Sequence, residues 1–113
     1  MEHRMKLCKE PFDMIESGEK TIELRLNDEK RKLVKVGDTI IFTSLEDSAK
    51  TLKTEVLAMH VFKNFAELYD NLPLLKCGYR KGDTASSDDM LEYYSREKEE
   101  QYGVIGIEIR KID

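Results

Sequence analysis

The chain has 113 residues, of which 40% are hydrophobic and 37% are charged, and its formal net charge is −4. This length suits one domain, 1–113, large enough to fold without disulfide bonds or a structural metal. The acidic balance argues against a globally basic protein that binds nucleic acid non-specifically, although it is compatible with a local basic patch.

Cysteine and histidine are too few and too scattered to predict a metal site. Cys8 and Cys77 are the only cysteines, and neither has a metal-ligand spacing. His3 and His60 do not complete a ligand set with them. We therefore expect two free, partly buried thiols, no metal and no cofactor. No apolar run approaches the about 18 residues of a membrane span, and the N-terminus lacks an apolar leader, so we expect a cytoplasmic protein.

The N-terminal part of the chain predicts a strand, a helix and a second strand. A short strand is expected around residues 4–7, followed by a helix with Pro11 in its first turn and Gly18 just past its end. Residues 21–26 then alternate between polar and apolar side chains. The apolar set is predicted to face the core: Ile22, Leu24 and Leu26. The polar set is predicted to face the other way: Thr21, Glu23 and Arg25.

The remainder predicts three more strands and two helices. A turn at residues 37–38 leads to a strand over 39–43, and a long strand is expected over 51–62 with His60 on the same face as Leu52. Asn64 can cap a short helix that ends near residue 71. After an irregular loop over 76–86, Ser87 is predicted to cap one helix that runs to about residue 101 and buries three side chains: Met90, Leu91 and Tyr94. The last strand spans 104–112.

About five strands and three helices without regular βαβ alternation indicate an α+β fold. Strands joined by loops of variable length are typical of a small, mostly antiparallel β-barrel with flanking helices.

Three segments, in this order, resemble the ASCH domain family of the PUA-like superfamily. They are residues 17–25 (SGEKTIELR), residues 36–42 (VGDTIIF), and Tyr93-Tyr94 with residues 102–107 (YGVIGI). The resemblance spans nearly the whole chain. It implies a PUA-like β-barrel with a cleft beside the strand from Lys20 to Arg25, associated with recognition of RNA or nucleotides. It also implies that some relatives deacylate N4-acetylcytidine and that others have ribonuclease activity.

The candidate ligand site is the polar face of this strand, with Lys20, Thr21, Glu23 and Arg25. Arg25 offers a planar fork for a phosphate or a base edge, and Lys20 offers a point charge. Glu23 can accept from the amino edge of a base, or act as a general base if burial raises its pKa. The alternative is an exposed strand face on which a Glu23–Arg25 ion pair contributes about 0–1 kcal/mol.

One position departs from the amidohydrolase relatives. The resemblance implies a threonine nucleophile three residues after the lysine, and Glu23 occupies that position. Lys20 matches, whereas Thr21 carries a hydroxyl two residues away. If the chain is an enzyme, Lys20 and Glu23 are the predicted catalytic residues, in a constellation that differs from that of the relatives.

Basic loop residues form a second candidate surface for a nucleic-acid backbone: Lys30, Arg31, Lys32 and Lys35. Lys76, Arg80 and Lys81 can extend it, and Tyr79 can stack on a base beside Arg80. Tyr93 is predicted to present its hydroxyl to the cleft, and Tyr94 to lie in the core. The alternative is that these loops are ordinary solvated surface.

Three functions remain open at this point. The first is binding of RNA or of a modified nucleoside at the Lys20–Arg25 face. The second is a small hydrolase that acts on a nucleoside or RNA. The third is a protein-interaction module, for which an exposed apolar patch would be the sign.

Overall fold

The computed structural model describes residues 1–112, in which five strands and three α-helices are present. The strands are β1 (Glu2–Leu7), β2 (Ile22–Leu26), β3 (Thr39–Ser44), β4 (Thr51–Phe62) and β5 (Val104–Ile112). The α-helices are α1 (Lys9–Ser17), α2 (Phe65–Asn71) and α3 (Arg96–Tyr102). Three short 3₁₀ helices lie between them: Arg31–Leu33, Leu74–Cys77 and Ser87–Glu92.

The strands form one sheet in the order β1-β3-β4-β5-β2. β1 pairs in parallel with β3, and the other three pairings are antiparallel. The sheet curls into a half-barrel whose two edges are β1 and β2. The predicted α+β, mostly antiparallel barrel is thereby confirmed.

Both faces of the sheet are covered. One face packs against α1 through the larger core cluster, whose members are Met5, Leu7, Phe12, Ile15, Val34, Ile40, Phe42, Leu52, Val56, Ile105, Ile107 and Ile109. The other face, at the β2–β5 end, packs against α2 through a second cluster: Ile22, Leu24, Leu26, Phe65, Leu68, Cys77 and Val104. Because β2 lies between these two layers, neither of its faces is open to solvent as an exposed strand would be.

The facing of β2 differs from the prediction. Glu23 pairs opposite Ile107 and Arg25 opposite Ile105, so these two polar residues point to the same face as the larger core cluster. Ile22 and its apolar neighbours are buried, as predicted, but on the opposite face. The alternation was correct, but it did not reveal that Glu23 on the polar side of the strand is buried as well.

The end of α1 and the start of α2 lie at the residues that the sequence predicted. Gly18 follows α1 with φ +88°, a left-handed conformation that suits glycine. The Asn64 side chain accepts from the Glu67 N–H at 2.8 Å and caps α2.

The single helix predicted over residues 87–101 is wrong. Ser86 caps a 3₁₀ segment through a capping box with Asp89, and Ser95 starts α3 by accepting from Lys98 N–H. Two N-caps within ten residues divide the stretch. As a consequence Leu91, predicted to be buried, is 41% exposed, while Met90 packs against the second cluster.

β4 contains a register shift between Val56 and Ala58. A shift of this kind changes which face the following side chains occupy, so Met59 packs against the larger core cluster instead of facing away from it. None of the helices in the described part of the chain has the length and hydropathy needed to cross a bilayer.

Candidate functional site

Three charged residues form a triad at β2: Lys20, Glu23 and Arg25. Glu23 and Arg25 lie in the strand, and Lys20 lies two residues before its start. Lys20 Nζ lies 2.9 Å from Glu23 Oε1, and Arg25 Nε lies 2.6 Å from Glu23 Oε2. Glu23 is only 3% exposed and Lys20 is 9% exposed. One carboxylate therefore joins two cations in a water-poor environment, with a net charge of about +1 for the group.

The local backbone holds Lys20 in this position. Its N–H donates to the Met14 carbonyl at 3.0 Å, which ties the residue to the last part of α1. The Lys20 side chain also passes close to Gly78, since a Cβ built at Gly78 would lie 3.4 Å from Lys20 Cδ. Gly78 has φ +113°, a conformation that favours glycine, so its backbone can pass close beside the lysine.

Arg25 spans the opening of the half-barrel. Its Nε donates to Glu23, and its Nη2 donates to the carbonyl of Lys6 at 2.8 Å. Lys6 belongs to β1 and Arg25 to β2, the two edges of the sheet. The guanidinium thus bridges two strands that do not pair with each other.

The triad keeps Glu23 ionised. Burial acts to raise the pKa of Glu23, but the charges and hydrogen bonds of Lys20 and Arg25 outweigh it, and the pKa lies below its ordinary value. Burial opposes the charge on Arg25 as well, yet the Glu23 carboxylate raises the Arg25 pKa. The raised pKa that would suit Glu23 to general-base catalysis is therefore not present.

A cavity of about 550 Å³ lies against the triad. Its wall contains all three triad residues and four tyrosines: Tyr69, Tyr79, Tyr93 and Tyr94. The charged side chains in the wall are three basic and four acidic: Lys6, Lys20, Arg25, Glu10, Glu23, Asp89 and Glu92. The cavity combines aromatic surface with a balanced set of hydrogen-bonding groups.

Two tyrosines and an aspartate form a hydrogen-bonded chain in this wall. The Tyr69 and Tyr79 hydroxyls are 2.8 Å apart, and the Tyr79 hydroxyl donates to Asp89 Oδ2 at 2.6 Å. Burial and the bond to Asp89 raise the pKa of Tyr79, so its phenol stays protonated. Asp89 also closes the capping box with Ser86, which fixes the chain to the backbone.

The other two tyrosines differ in burial. Tyr94 packs against the second core cluster, and its ring stacks on Phe65 with centroids 6.0 Å apart. Tyr93 is 56% exposed and lines the cavity. Tyr94 thus supports the site from the core, whereas Tyr93 leaves ring surface open to solvent.

Five of the residues singled out from the sequence come together here: Lys20, Glu23, Arg25, Tyr79 and Tyr93. Thr21 is not among them. It lines a separate cavity of about 250 Å³ with Ile15 and Ile109, and its backbone bonds to Lys76 and Ile109. Lys20 lines both cavities, whereas Thr21 lines only the smaller one.

The basic residues predicted as a nucleic-acid surface lie outside the cavity wall. Lys30, Lys32 and Lys35 are exposed, and Arg31 pairs with Asp28 at 3.1 Å. Arg80 pairs with Glu10 and Glu19 on the side of α1. None of these basic residues lines the cavity, although the Glu10 partner of Arg80 does.

Sequence reasoning missed Lys6, Cys8, Tyr69, Cys77 and Asp89 as parts of the wall. A signal existed for Asp89, since Ser86 and Asp89 have the spacing of a capping box. Cys77 is 5% exposed, and burial raises the pKa of its thiol to about 11, so that little of the nucleophilic thiolate forms near neutral pH. Cys8 is exposed, and both thiols are free.

Within residues 1–112, no group of three or more His, Cys, Asp or Glu side chains is arranged to hold a metal ion. His60 pairs with Glu108 on the neighbouring strand.

The ASCH domain model matches residues 5–113. The chain belongs to the ASCH domain family. Its fold is similar to that of the hypothetical protein PH0355, with a TM-score of 0.83, 34% identity, and coverage of 99% of this chain and 100% of the other. It is also similar to the protein PF0455 from Pyrococcus furiosus, with a TM-score of 0.74, 35% identity, and coverage of 100% and 99%.

A more distant likeness extends to a variant of ZmASCH from Zymomonas mobilis, with a TM-score of 0.68, 15% identity, and coverage of 99% of this ASCH chain and 75% of the other. At that identity the likeness concerns the fold. No curated protein sequence matches this chain.

Proposed function

We propose that this ASCH domain binds a nucleoside, free or exposed in RNA, in the cavity beside β2. The observation that carries the proposal is the buried, ionised Lys20–Glu23–Arg25 triad in the wall of a cavity of about 550 Å³ that also contains tyrosine rings. Pockets of about 300–1,000 Å³ with a few placed polar groups are typical of small-molecule sites.

The triad has hydrogen-bonding capacity beyond its internal pairs. Each Glu23 oxygen takes one bond from a neighbouring cation, and a carboxylate oxygen can accept a second. An ammonium has three donors, so Lys20 can hold Glu23 and still donate to a carbonyl. An amino group beside a carbonyl, as on a nucleobase edge, fits this donor and acceptor set.

The remaining wall favours a base over a chain of phosphates. Tyr93 offers an accessible ring on which a base can stack. The wall carries more acidic than basic side chains, and Glu23 already pairs with two of the three cations. Contacts to an RNA backbone would fall instead to the exposed lysines Lys30, Lys32 and Lys35.

A binding screen tests the proposal. Wild type, Tyr93→Ala and the control Arg4→Ala are titrated by calorimetry with unmodified nucleosides, N4-acetylcytidine and short RNAs. Loss of a stacked ring typically costs about 1–3 kcal/mol, so Tyr93→Ala should weaken binding by about 5- to 150-fold. Arg4 is exposed and pairs with Glu2 away from the cavity, so its variant should bind like wild type. The absence of binding to every ligand, or equal affinity in Tyr93→Ala, would contradict the proposal.

A second candidate is a small hydrolase, either N4-acetylcytidine amidohydrolase-like or a ribonuclease, that uses Lys20 and Glu23. The 2.9 Å contact of these residues in the cavity wall favours it. The lowered pKa of Glu23 and the position of Thr21 outside this wall weigh against it. Incubation of the protein with N4-acetylcytidine or RNA, followed by chromatography, distinguishes the candidates. An enzyme forms product, and both Lys20→Met and Glu23→Gln should abolish product formation, whereas a binding protein forms none.

The third candidate, a protein-interaction module, has less support. The exposed apolar side chains come from separate segments, among them Leu33 and Leu75 in two different 3₁₀ helices and Leu57 in β4. A cytoplasmic location is part of our proposal, since both cysteines are free thiols.

A further inference from the structure

Residues 78–86, here named the strap, begin at the cavity wall, to which Gly78 and Tyr79 contribute. The strap joins the 3₁₀ turn Leu74–Cys77 to the 3₁₀ segment Ser87–Glu92. Six of its nine residues are exposed and none is buried. A segment with so little buried surface has a low free energy of local opening.

Polar contacts hold the strap down. Arg80 Nη1 lies 3.3 Å from Glu10 Oε1, and Arg80 Nε lies 3.3 Å from Glu19 Oε2. Glu10 is itself part of the cavity wall, so this contact joins the strap to the wall that α1 provides. Tyr79 supplies the other anchor through its hydroxyl bonds to Tyr69 and Asp89.

The strength of these two anchors differs. All three members of the Arg80 group are about half exposed or more, so water and salt weaken their attraction. The Tyr79 contacts are hydrogen bonds that respond less to salt. Gly78, with φ +113°, lies at the start of the strap, where a small residue can absorb a change in backbone angles.

We propose that the strap is a salt-sensitive gate of the cavity, latched by Arg80 on Glu10 and Glu19. Release of the latch lets the strap move and opens the part of the wall that Gly78 and Tyr79 form, next to Cys77. That the gate admits a ligand rests on the proposed function. That the gate opens does not, because the opening is measured without a ligand.

Cys77 provides the reporter. It lies immediately before the strap and lines the cavity but is only 5% exposed, so opening of this region should speed its reaction with a thiol reagent. The reporter protein carries Cys8→Ser, which leaves Cys77 as the sole thiol. The reagent is 4,4′-dithiodipyridine, which is uncharged at pH 8, so that added salt acts on the protein and not on the reagent.

Labelling rates are compared in the reporter and in its Arg80→Gln form, at low and high salt. Removal of two exposed ion pairs should speed labelling by about 3- to 10-fold at low salt. Added salt should speed labelling of the reporter and have little effect on the Arg80→Gln form. The double variant Glu10→Gln/Glu19→Gln removes the acidic partners of Arg80, so it should speed labelling of Cys77 by a similar factor.

Arg110→Gln is the matched control. Arg110 forms an exposed ion pair with Glu55 on the strands β5 and β4, outside the cavity wall. Its labelling rate should equal that of the reporter. Thermal melts of all variants check that global unfolding is unchanged.

Equal rates in the reporter and the Arg80→Gln form, or rates that follow global stability alone, would overturn the gate. Because the assay contains no ligand, that result would leave nucleoside binding in the cavity standing. A failed binding screen would likewise leave a measured gate in place.

Discussion

The Arg25 guanidinium donates to the Lys6 carbonyl at 2.8 Å and so connects the two edges of the sheet. The same side chain holds the Glu23 carboxylate at 2.6 Å. The guanidinium of Arg25 was expected to bind the ligand, and these two contacts show that Arg25 also stabilises the fold. Substitution of Arg25 will therefore affect both stability and binding.

Arg25→Ala should lower the free energy of unfolding by about 3 kcal/mol, because removal of one partner leaves the buried Glu23 carboxylate with a single cation. Urea unfolding followed by circular dichroism measures the change. Arg4→Ala, which removes an exposed arginine from β1, should stay within about 0.5 kcal/mol of wild type. A similar small change in Arg25→Ala would show that the bridge contributes little.

The stability that Glu23 contributes should depend on pH. The pKa of Glu23 in the folded protein lies below its ordinary value of 4.5, so its contribution is present above pH 4.5 and is lost as the pH falls through the folded pKa. The stability difference between wild type and Glu23→Gln should be largest near pH 7 and shrink toward pH 3. A difference that stays constant over this range would contradict the lowered pKa.

Gly78→Ala should impair the site more than its stability loss explains. Alanine at a positive φ costs about 1 kcal/mol, and the new Cβ would lie 3.4 Å from Lys20 Cδ and 3.8 Å from Lys20 Nζ. Gly18→Ala is the matched control, since Gly18 also has a positive φ and has no atom near its Cβ position. Both variants should melt at lower temperature, and only Gly78→Ala should change nucleoside affinity. Equal nucleoside affinity in the two variants would show that Gly78 does not contribute to the binding site.

Replacement of Lys30, Lys32 and Lys35 by glutamine tests whether these lysines contact an RNA backbone. If they do, the variant should bind short RNA more weakly. The slope of log affinity against log salt should then fall by about 0.7 for each single-strand phosphate that the variant no longer neutralises. Affinity for a free nucleoside should not change, because none of the three lysines lines the cavity. An unchanged RNA affinity and salt slope would remove this surface from the proposal.

Tyr79→Phe isolates the hydroxyl chain in the cavity wall. The variant keeps the ring but removes the bonds to Tyr69 and Asp89, so stability should fall by about 1 kcal/mol. Chemical unfolding measures this decrease. Tyr102→Phe serves as the control, because Tyr102 lies outside the cavity wall. The absence of any difference between the two would show that the hydroxyl chain is not a structural anchor.

The sequence predicted what depends on neighbours along the chain. The Gly18 helix end, the Asn64 cap, the strands and the ASCH resemblance rest on local patterns, and they are confirmed. Burial of Glu23 depends on layers contributed by distant segments, and alternation within six residues contains no information about those layers.

Other features depend on still longer separations. Arg80 pairs with Glu10 across 70 positions, so a basic loop that looked suited to phosphate is in part neutralised by the protein's own acids. The meeting of Tyr69 with Tyr79 depends on the path of the intervening turn. The capping box at Ser86 was a local clue to that region, and it competes with the N-cap predicted at Ser87.

The strand order also has a consequence for protein synthesis. β2 is an edge strand whose backbone pairs only with β5, at positions such as Glu23 opposite Ile107. A ribosome synthesises β2 long before β5, so β2 has no strand partner when it first emerges. A chain cut short before residue 104 would carry every residue of the triad without the strand that pairs with theirs.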